Sequence, residues 1–121
     1  MEEEFVTFEQ AVALKELGFN EPCFGWWFVD EVMLIIEKSK KSTSENIIQA
    51  PTYSQAFRFF REKYKLEGVV QRAENKGWYK FHIYELYENC KVLISVELEK
   101  ISFENAELEC LRKLIKIEKN K

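Results

Sequence analysis

One five-residue phrase occurs three times in this chain and predicts where its helices begin. It stands at residues 7–11 (TFEQA), 52–56 (TYSQA) and 102–106 (SFENA), and each copy reads hydroxyl, aromatic, any residue, amide, alanine. A hydroxyl residue followed three positions later by Gln is typical of a helix N-terminus, because each side chain accepts a hydrogen bond from a backbone N–H that the helix leaves unpaired. Asn105 is shorter than Gln, so we expect the third start to be weaker. The repeat therefore predicts three helix starts.

Two of the three predicted helices are followed by a glycine that could end them. The first covers residues 8–17, where Gly18 suits the left-handed position beyond a helix end. The second covers 53–66, with Gly68 available to end it, and the third covers 103–118.

Two pairs of β-prone runs separate these helices. Residues 24–29 and 32–36 flank Asp30-Glu31 and predict a hairpin that is covered on both faces. Residues 78–87 and 91–98 flank Glu88-Asn89 and predict the clearer strand pair. Its core-facing pairs are Tyr79 with Leu98, Phe81 with Val96 and Ile83 with Ile94. The opposite face carries Lys80 with Glu97, His82 with Ser95 and Tyr84 with Leu93.

The order helix, hairpin, helix, hairpin, helix indicates an α+β fold with its helices packed on an antiparallel sheet. We expect a single domain over residues 1–121, with a mobile surface loop at about 37–51, where Lys, Ser, Thr and Asn prevail. Residues 69–76 are ambiguous and include a candidate edge strand, followed by a turn at 75–77. The repeated phrase fits either an ancient duplication or repeated use of good capping chemistry, and we favour the second because nothing else repeats.

Composition places the chain among soluble globular proteins. Of its 121 residues 46% are hydrophobic and 32% charged, and the formal charge of −3 provides no overall attraction to nucleic acid or anionic membranes. The acidic start lacks the features of a signal peptide, and no apolar run is long enough to span a bilayer. Cys23, Cys90 and Cys110 are widely spaced, which favours reduced and mostly buried thiols. We therefore predict a cytoplasmic protein.

The third helix carries more apolar residues than one packed face needs. At about 100° per residue, Leu108, Leu111 and Ile115 form a second stripe beside the stripe that contains Ala106 and Cys110. One interpretation is that a sheet covers one stripe and a neighbouring helix covers the other. The functional interpretation is that the second stripe contacts a protein partner or a second copy of the chain.

The second helix offers two further candidate surfaces. Phe59 and Leu66 form a lesser candidate for the partner interface. Arg58, Arg61 and Lys65 share another face, and a basic stripe beside an aromatic residue is one route to nucleic-acid contact. Nucleic-acid binding there is the alternative function, although three charges on an acidic domain favour a solvated helix face.

Chemically reactive groups are sparse, so we predict no catalytic, cofactor-binding or metal-binding residues and no enzyme activity. His82 is the single histidine, and its predicted neighbour Ser95 is the nearest approach to a catalytic pair. One histidine and scattered cysteines do not provide a usual zinc ligand set. Trp26 and Trp27 lie on opposite faces of one predicted strand, and we favour packing over exposure as a binding anchor for them.

Several longer blocks resemble small proteins of bacteriophages and prophage-like regions, particularly those of Bacteroidetes hosts. The blocks are 7–11 leading to 14–19 and 21–24, then 50–58 with 60–64, and finally 106–115. They are spread along most of the chain in the family's order, although 32–49 has no counterpart. The family has no established activity, so the resemblance implies only a setting: a small accessory protein made in a bacterial cell. From the residues themselves we predict a protein without a cofactor that acts by protein–protein contact or self-association.

Overall fold

The described residues form an α+β fold with three α-helices and two antiparallel sheets. The computed structural model describes residues 2–30, 32–40, 46–74, 78–87, 89–98 and 101–121. These fall into two compact units, Met1–Ala56 and Phe57–Lys121. The α+β class is confirmed, whereas the single domain over 1–121 stays a prediction. The predicted element order is wrong in one respect, because three strands, rather than two, follow each of the first two helices.

The first unit contains one helix and one sheet. After a short 3₁₀ turn at Glu2–Glu4 come α1 (Phe8–Glu16), β1 (Cys23–Phe28), β2 (Met33–Lys40) and β3 (Ile47–Ala50). The strand order is β2-β1-β3, so β1 is central and antiparallel to both neighbours. The helix α1 packs against β3.

The capping boxes form as predicted. Thr7 and Gln10 exchange two bonds of 3.2 Å, one from each backbone N–H to the other's side chain. Thr52 and Gln55 make the same exchange at 3.3 Å. In the third copy the N–H of Asn105 donates to the Ser102 hydroxyl at 3.1 Å, which is the hydroxyl half of the box.

The first helix also ends as predicted. Gly18 has φ of 100°, its N–H donates to the Lys15 carbonyl, and the N–H of Phe19 donates to the Leu14 carbonyl. These two bonds and the left-handed residue form a Schellman motif, for which glycine is suited because it has no Cβ to clash. Phe19 is buried, so the motif also directs this ring back into the first unit.

The predicted loop at 37–51 is wrong at both of its ends. Residues 37–40 belong to β2, and 47–50 form β3, which pairs with β1 from Gly25 opposite Ala50 to Phe28 opposite Ile47. Although β3 is short, it buries three of its residues, Ile48, Gln49 and Ala50. Residues 41–45 and Glu31, which belongs to the predicted first turn, lie outside the described residues.

The second unit contains a three-stranded sheet and the longest helix. The helix α2 (Tyr53–Phe59) crosses the unit boundary, continues as a wide π turn over Phe60–Tyr64, and is followed by β4 (Leu66–Arg72), β5 (Tyr79–Glu85), β6 (Lys91–Leu98) and α3 (Phe103–Lys119). The strand order is β4-β5-β6, and α3 packs against β4 and β5. The third helix is confirmed within one residue. The ambiguous residues 69–72 belong to a regular strand.

The second helix ends earlier than predicted, and Gly68 does not end it. Lys65 occupies the left-handed position with φ of 57°, and its N–H donates to the Phe60 carbonyl. Gly68 instead lies within β4 opposite Ile83. A Cβ there would stand 2.8 Å from Cys110 Sγ and 3.1 Å from a Leu114 methyl carbon, so glycine at this position permits close packing of α3 on the sheet.

The predicted register of the second strand pair is confirmed over five residue pairs. Tyr79 through Ile83 oppose Leu98 through Ile94, and Phe81 and Ile83 are fully buried as the core-face prediction requires. A bulge then shifts the ladder, so Tyr84 lies opposite Val92 and not opposite Leu93. The predicted turns at 75–77 and at Glu88 lie outside the described residues. Asn89 lies in a turn, and Cys90 follows with φ of 42°.

Candidate functional site

The predicted partner interface is wrong as an exposed surface, because the chain buries most of it. The exposed fraction is 0% for Leu111 and Leu66, 6% for Phe59 and 8% for Ile115, and Leu108 is half-buried. The two predicted stripes of α3 merge into one broad buried face. Its members are Ala106, Cys110, Leu111, Leu114 and Ile115.

At about 100° per residue, these five buried residues span about half of the helix circumference. The sheet part of the first interpretation is therefore correct, because α3 packs against β4 and β5. Cover of the second stripe by a neighbouring helix stays a prediction. Burial also raises the pKa of the Cys110 thiol to about 12, with a further contribution from Glu107. The thiol is thus neutral and poorly reactive.

The basic residues of the second helix are exposed but do not share one regular helix face. Arg58 Nε lies 3.5 Å from a carboxylate oxygen of Glu62, with both side chains at least half exposed. Arg61 lies within the wide π turn, and Lys65 lies beyond the helix at its left-handed end. The widened turn changes the angle between successive side chains, so the predicted stripe of Arg58, Arg61 and Lys65 is interrupted.

His82 forms a hydrogen-bonded bridge across all three strands of the second sheet. Its Nδ1 lies 2.7 Å from Ser95 Oγ on β6, and its Nε2 lies 3.4 Å from Gln71 Nε2 on β4. Which ring nitrogen carries the proton decides which group donates in each of these two contacts. Together the contacts link the three strands of the second sheet.

The two adjacent tryptophans are packed, as predicted. Trp26 is 2% exposed. The indole N–H of Trp27 donates to the Val6 carbonyl at 3.1 Å, and its ring meets Phe8 edge-on at 6.0 Å between centroids. Both rings therefore serve the first unit's core and not a binding surface.

The first unit leaves another set of large apolar side chains exposed on its β1–β2 hairpin. We call this set the hairpin patch. Its members, with their exposed fractions, are Phe24 (52%), Val29 (37%), Val32 (53%), Met33 (47%) and Ile36 (39%). The prediction that this hairpin is well covered is wrong. Sequence reasoning missed the patch because apolar residues occupy both faces of the strands, a pattern typical of buried strands.

The backbone of β2 adds a second feature to the hairpin patch. In the part of the chain that the structure describes, β2 is an edge strand with β1 on one side. Its first four residues, Met33–Ile36, are all apolar, whereas edge strands are commonly protected by charge, proline or bulges. An apolar strand edge of this kind is suited to pairing with another extended chain.

A scan against protein-family models, a search of curated proteins and a search of solved structures each found no match to this chain. The resemblance to bacteriophage proteins therefore stays a prediction. None of the described helices has the length and apolar character needed to cross a membrane. The described residues also place no three His, Cys, Asp or Glu side chains together as a metal-ligand set.

Proposed function

We propose that this protein acts by self-association, with two copies joined along β2 through the hairpin patch. The observation that carries this proposal is the coincidence, on one hairpin, of exposed apolar side chains and an edge strand whose first four residues are all apolar. Side chains such as Met33 and Ile36 are costly to leave in water, since burying apolar surface yields about 25 cal/mol per Å². A partner strand would satisfy the edge and would also shelter side chains on both faces of the sheet, because Met33 and Ile36 are three positions apart on β2 and so lie on opposite faces.

A second copy is the occupant that the geometry favours. Two antiparallel β2 strands related by a two-fold axis normal to the sheet pair residue i with residue j and j with i, so only the residue on the axis meets its own copy. Ile36 lies beside the middle of Met33–Lys40, and an axis there also sets Met33 opposite Ser39 and Leu34 opposite Lys38. An axis through Ile36 sets the two exposed Ile36 side chains directly opposite each other. It also pairs nearly the whole strand and extends the three-stranded sheet to six strands.

The experiment is sedimentation equilibrium over a concentration series, with charged substitutions at matched exposure. Ile36→Lys places two ammonium groups across the axis and should yield a monomer at concentrations where the unaltered protein is a dimer. Leu93→Lys is the control, because Leu93 is also an exposed strand residue, at 36% against 39% for Ile36. Met33→Lys and Val92→Lys form a second pair, since each parent residue is 47% exposed.

A monomeric unaltered protein at all concentrations contradicts self-association. Dimers that are weakened equally by Ile36→Lys and Leu93→Lys contradict the assignment to β2. Circular dichroism of all four variants checks that each one is folded. A dimer that is lost only in the β2 variants supports the proposal.

Nucleic-acid binding remains the alternative because Arg58, Arg61 and Lys65 are all exposed. It requires an affinity that falls steeply with salt, since phosphate contacts release counterions. A mobility-shift assay at low salt tests it, and the absence of any shift removes it. On the sequence resemblance alone, we further propose that the protein is a non-enzymatic accessory protein of a bacteriophage or mobile element, acting in the cytoplasm of a bacterial host.

A further inference from the structure

The first unit contains a small cleft between the end of α1 and the outer edge of β3. Its volume is about 240 Å³. Ala11, Phe19 and Ile48 line it and are buried, so they form an apolar floor. Lys15 and Asn20 line it and are exposed, so they form a polar rim. The cleft thus combines an apolar interior with polar groups on one margin, as ligand sites commonly do.

The backbone of β3 contributes hydrogen-bonding groups to the same cleft. The N–H of Val29 donates to the Asn46 carbonyl at 2.9 Å, which fixes the alternation of the β1–β3 ladder. Phe28 lies opposite Ile47, and Trp26 lies opposite Gln49. Both pairs are non-hydrogen-bonded pairs of the β1–β3 ladder, so Ile47 and Gln49 make no backbone hydrogen bonds to β1. Ile47 and Gln49 therefore direct their N–H and C=O groups away from β1, toward the outer edge. Both residues line the cleft.

The charge of the lining indicates the charge of the ligand. Lys15 is the one charged residue among the described residues that line the cleft, and Asn20 adds an amide donor. The Gln49 side chain is already engaged, because its Nε2 donates to the Glu21 carbonyl at 2.7 Å. A carboxylate at the rim would thus meet an ammonium group and an amide, which form the stronger, charge-assisted kind of hydrogen bond.

The size of the cleft limits the ligand to about one residue. A volume of about 240 Å³ corresponds to about eight waters at ~30 Å³ each, which is comparable with the nonhydrogen atoms of one leucine. We propose that the α1–β3 cleft binds the C-terminal residue of an extended peptide, with its apolar side chain on the floor, its amide on the β3 edge and its free carboxylate at Lys15. This site is separate from the hairpin patch and does not depend on self-association.

The test is a titration of ¹⁵N-labelled protein with acetyl-Ala-Ala-Leu, compared with the same peptide ended by a carboxamide. The free carboxylate peptide should shift the backbone amide signals of Ile47, Ile48 and Gln49 in a saturable way. The carboxamide should bind about tenfold more weakly, the discrimination expected when one charge-assisted hydrogen bond is lost. Equal affinities for the two peptides would overturn the assignment of a carboxylate site.

A pair of lysine variants separates the cleft from general electrostatics. Lys15→Glu should reduce the affinity for the carboxylate peptide about tenfold or more, because it replaces the attracting charge with a repelling one. Lys116→Glu is the matched control, since both lysines are exposed and lie in the last turn of a helix. Equal losses in both variants, shifts confined to other residues, or no saturable shift would each overturn the proposal.

Discussion

Replacing Leu111 tests most directly whether the second stripe of α3 is core or interface. The side chain has no exposed surface, so Leu111→Ala removes three buried carbon atoms and leaves a space that the neighbours fill only in part. Leu→Ala changes at such sites cost about 2.7–5 kcal/mol, and we expect about 3 kcal/mol here. Leu108 is half-buried on the same helix, so Leu108→Ala should cost about 1 kcal/mol.

The charged variant should have a larger effect. Leu111→Glu loses the same packing and also places a carboxylate where water is absent, which costs several further kcal/mol or forces the side chain out of the core. Proteins of this size have a free energy of unfolding of about 5–15 kcal/mol. We therefore expect Leu111→Ala to fold and Leu111→Glu to be largely unfolded.

Urea unfolding followed by circular dichroism and tryptophan fluorescence measures these differences. With a slope of about 1.5–2 kcal/mol per molar urea, a loss of 3 kcal/mol lowers the midpoint by about 1.5–2 M. The Leu108→Ala midpoint should fall by a third of that amount. If Leu111→Glu instead folds with an unchanged midpoint and alters only the oligomeric state, the side chain faces outward and the buried assignment is wrong.

Four other predictions follow from the backbone and the cysteines. Val32 has φ of 48°, which a β-branched residue rarely adopts, so Val32→Asn should raise the free energy of unfolding by about 1 kcal/mol in urea. Lys65 has φ of 57°, so Lys65→Gly should stabilise the protein by about 0.5–1 kcal/mol in the same assay, and a loss of stability would contradict the left-handed assignment. Cys90 is exposed while Cys23 and Cys110 are buried, so a thiol reagent should modify Cys90 quickly and the other two at the rate of unfolding. Because burial raises the pKa of Cys110 from 9.0 to about 12, the unfolded state loses this proton first; stability from this group is complete below pH 9 and is lost as the pH rises toward 12, and Cys110→Ala should reduce that alkaline loss.

The sequence predicted best those features that depend on neighbouring residues along the chain. A capping box needs two side chains three positions apart, so Thr7 with Gln10 and Thr52 with Gln55 could be found without knowing the fold. The register of β5 and β6 follows in the same way from alternation on both sides of one short turn.

Features set by distant residues could not be predicted in this way. Gly68 looks like a helix end in the sequence, but its glycine is needed because Cys110 and Leu114 approach it from α3. The strand β3 is short and follows a polar stretch, and what makes it a strand is pairing with β1, which lies well before it in the chain. The burial of Leu111 depends likewise on where the sheet lies.

The two sheets also bear on the origin of the repeated phrase. A duplicated helix-and-sheet unit would keep its strand order, but the first sheet has the order β2-β1-β3 and the second β4-β5-β6. In the first sheet β3 pairs with β1, whereas in the second sheet β6 pairs with β5. Independent use of the same capping chemistry, which the sequence favoured, agrees better with this difference.

The contrast between β2 and β6 explains why the proposed interface lies on the first sheet. Both are edge strands with exposed apolar residues. On β6, however, Lys91, Ser95 and Glu97 are also exposed, and polar and charged side chains along an edge discourage pairing with another chain. On β2 the charged and polar residues are confined to the second half, Glu37 to Lys40, and the first four residues are all apolar. This difference makes Val92 and Leu93 of β6 the proper controls for Met33 and Ile36, because they match the exposure of the proposed contact residues while lying on an edge that its neighbours already protect.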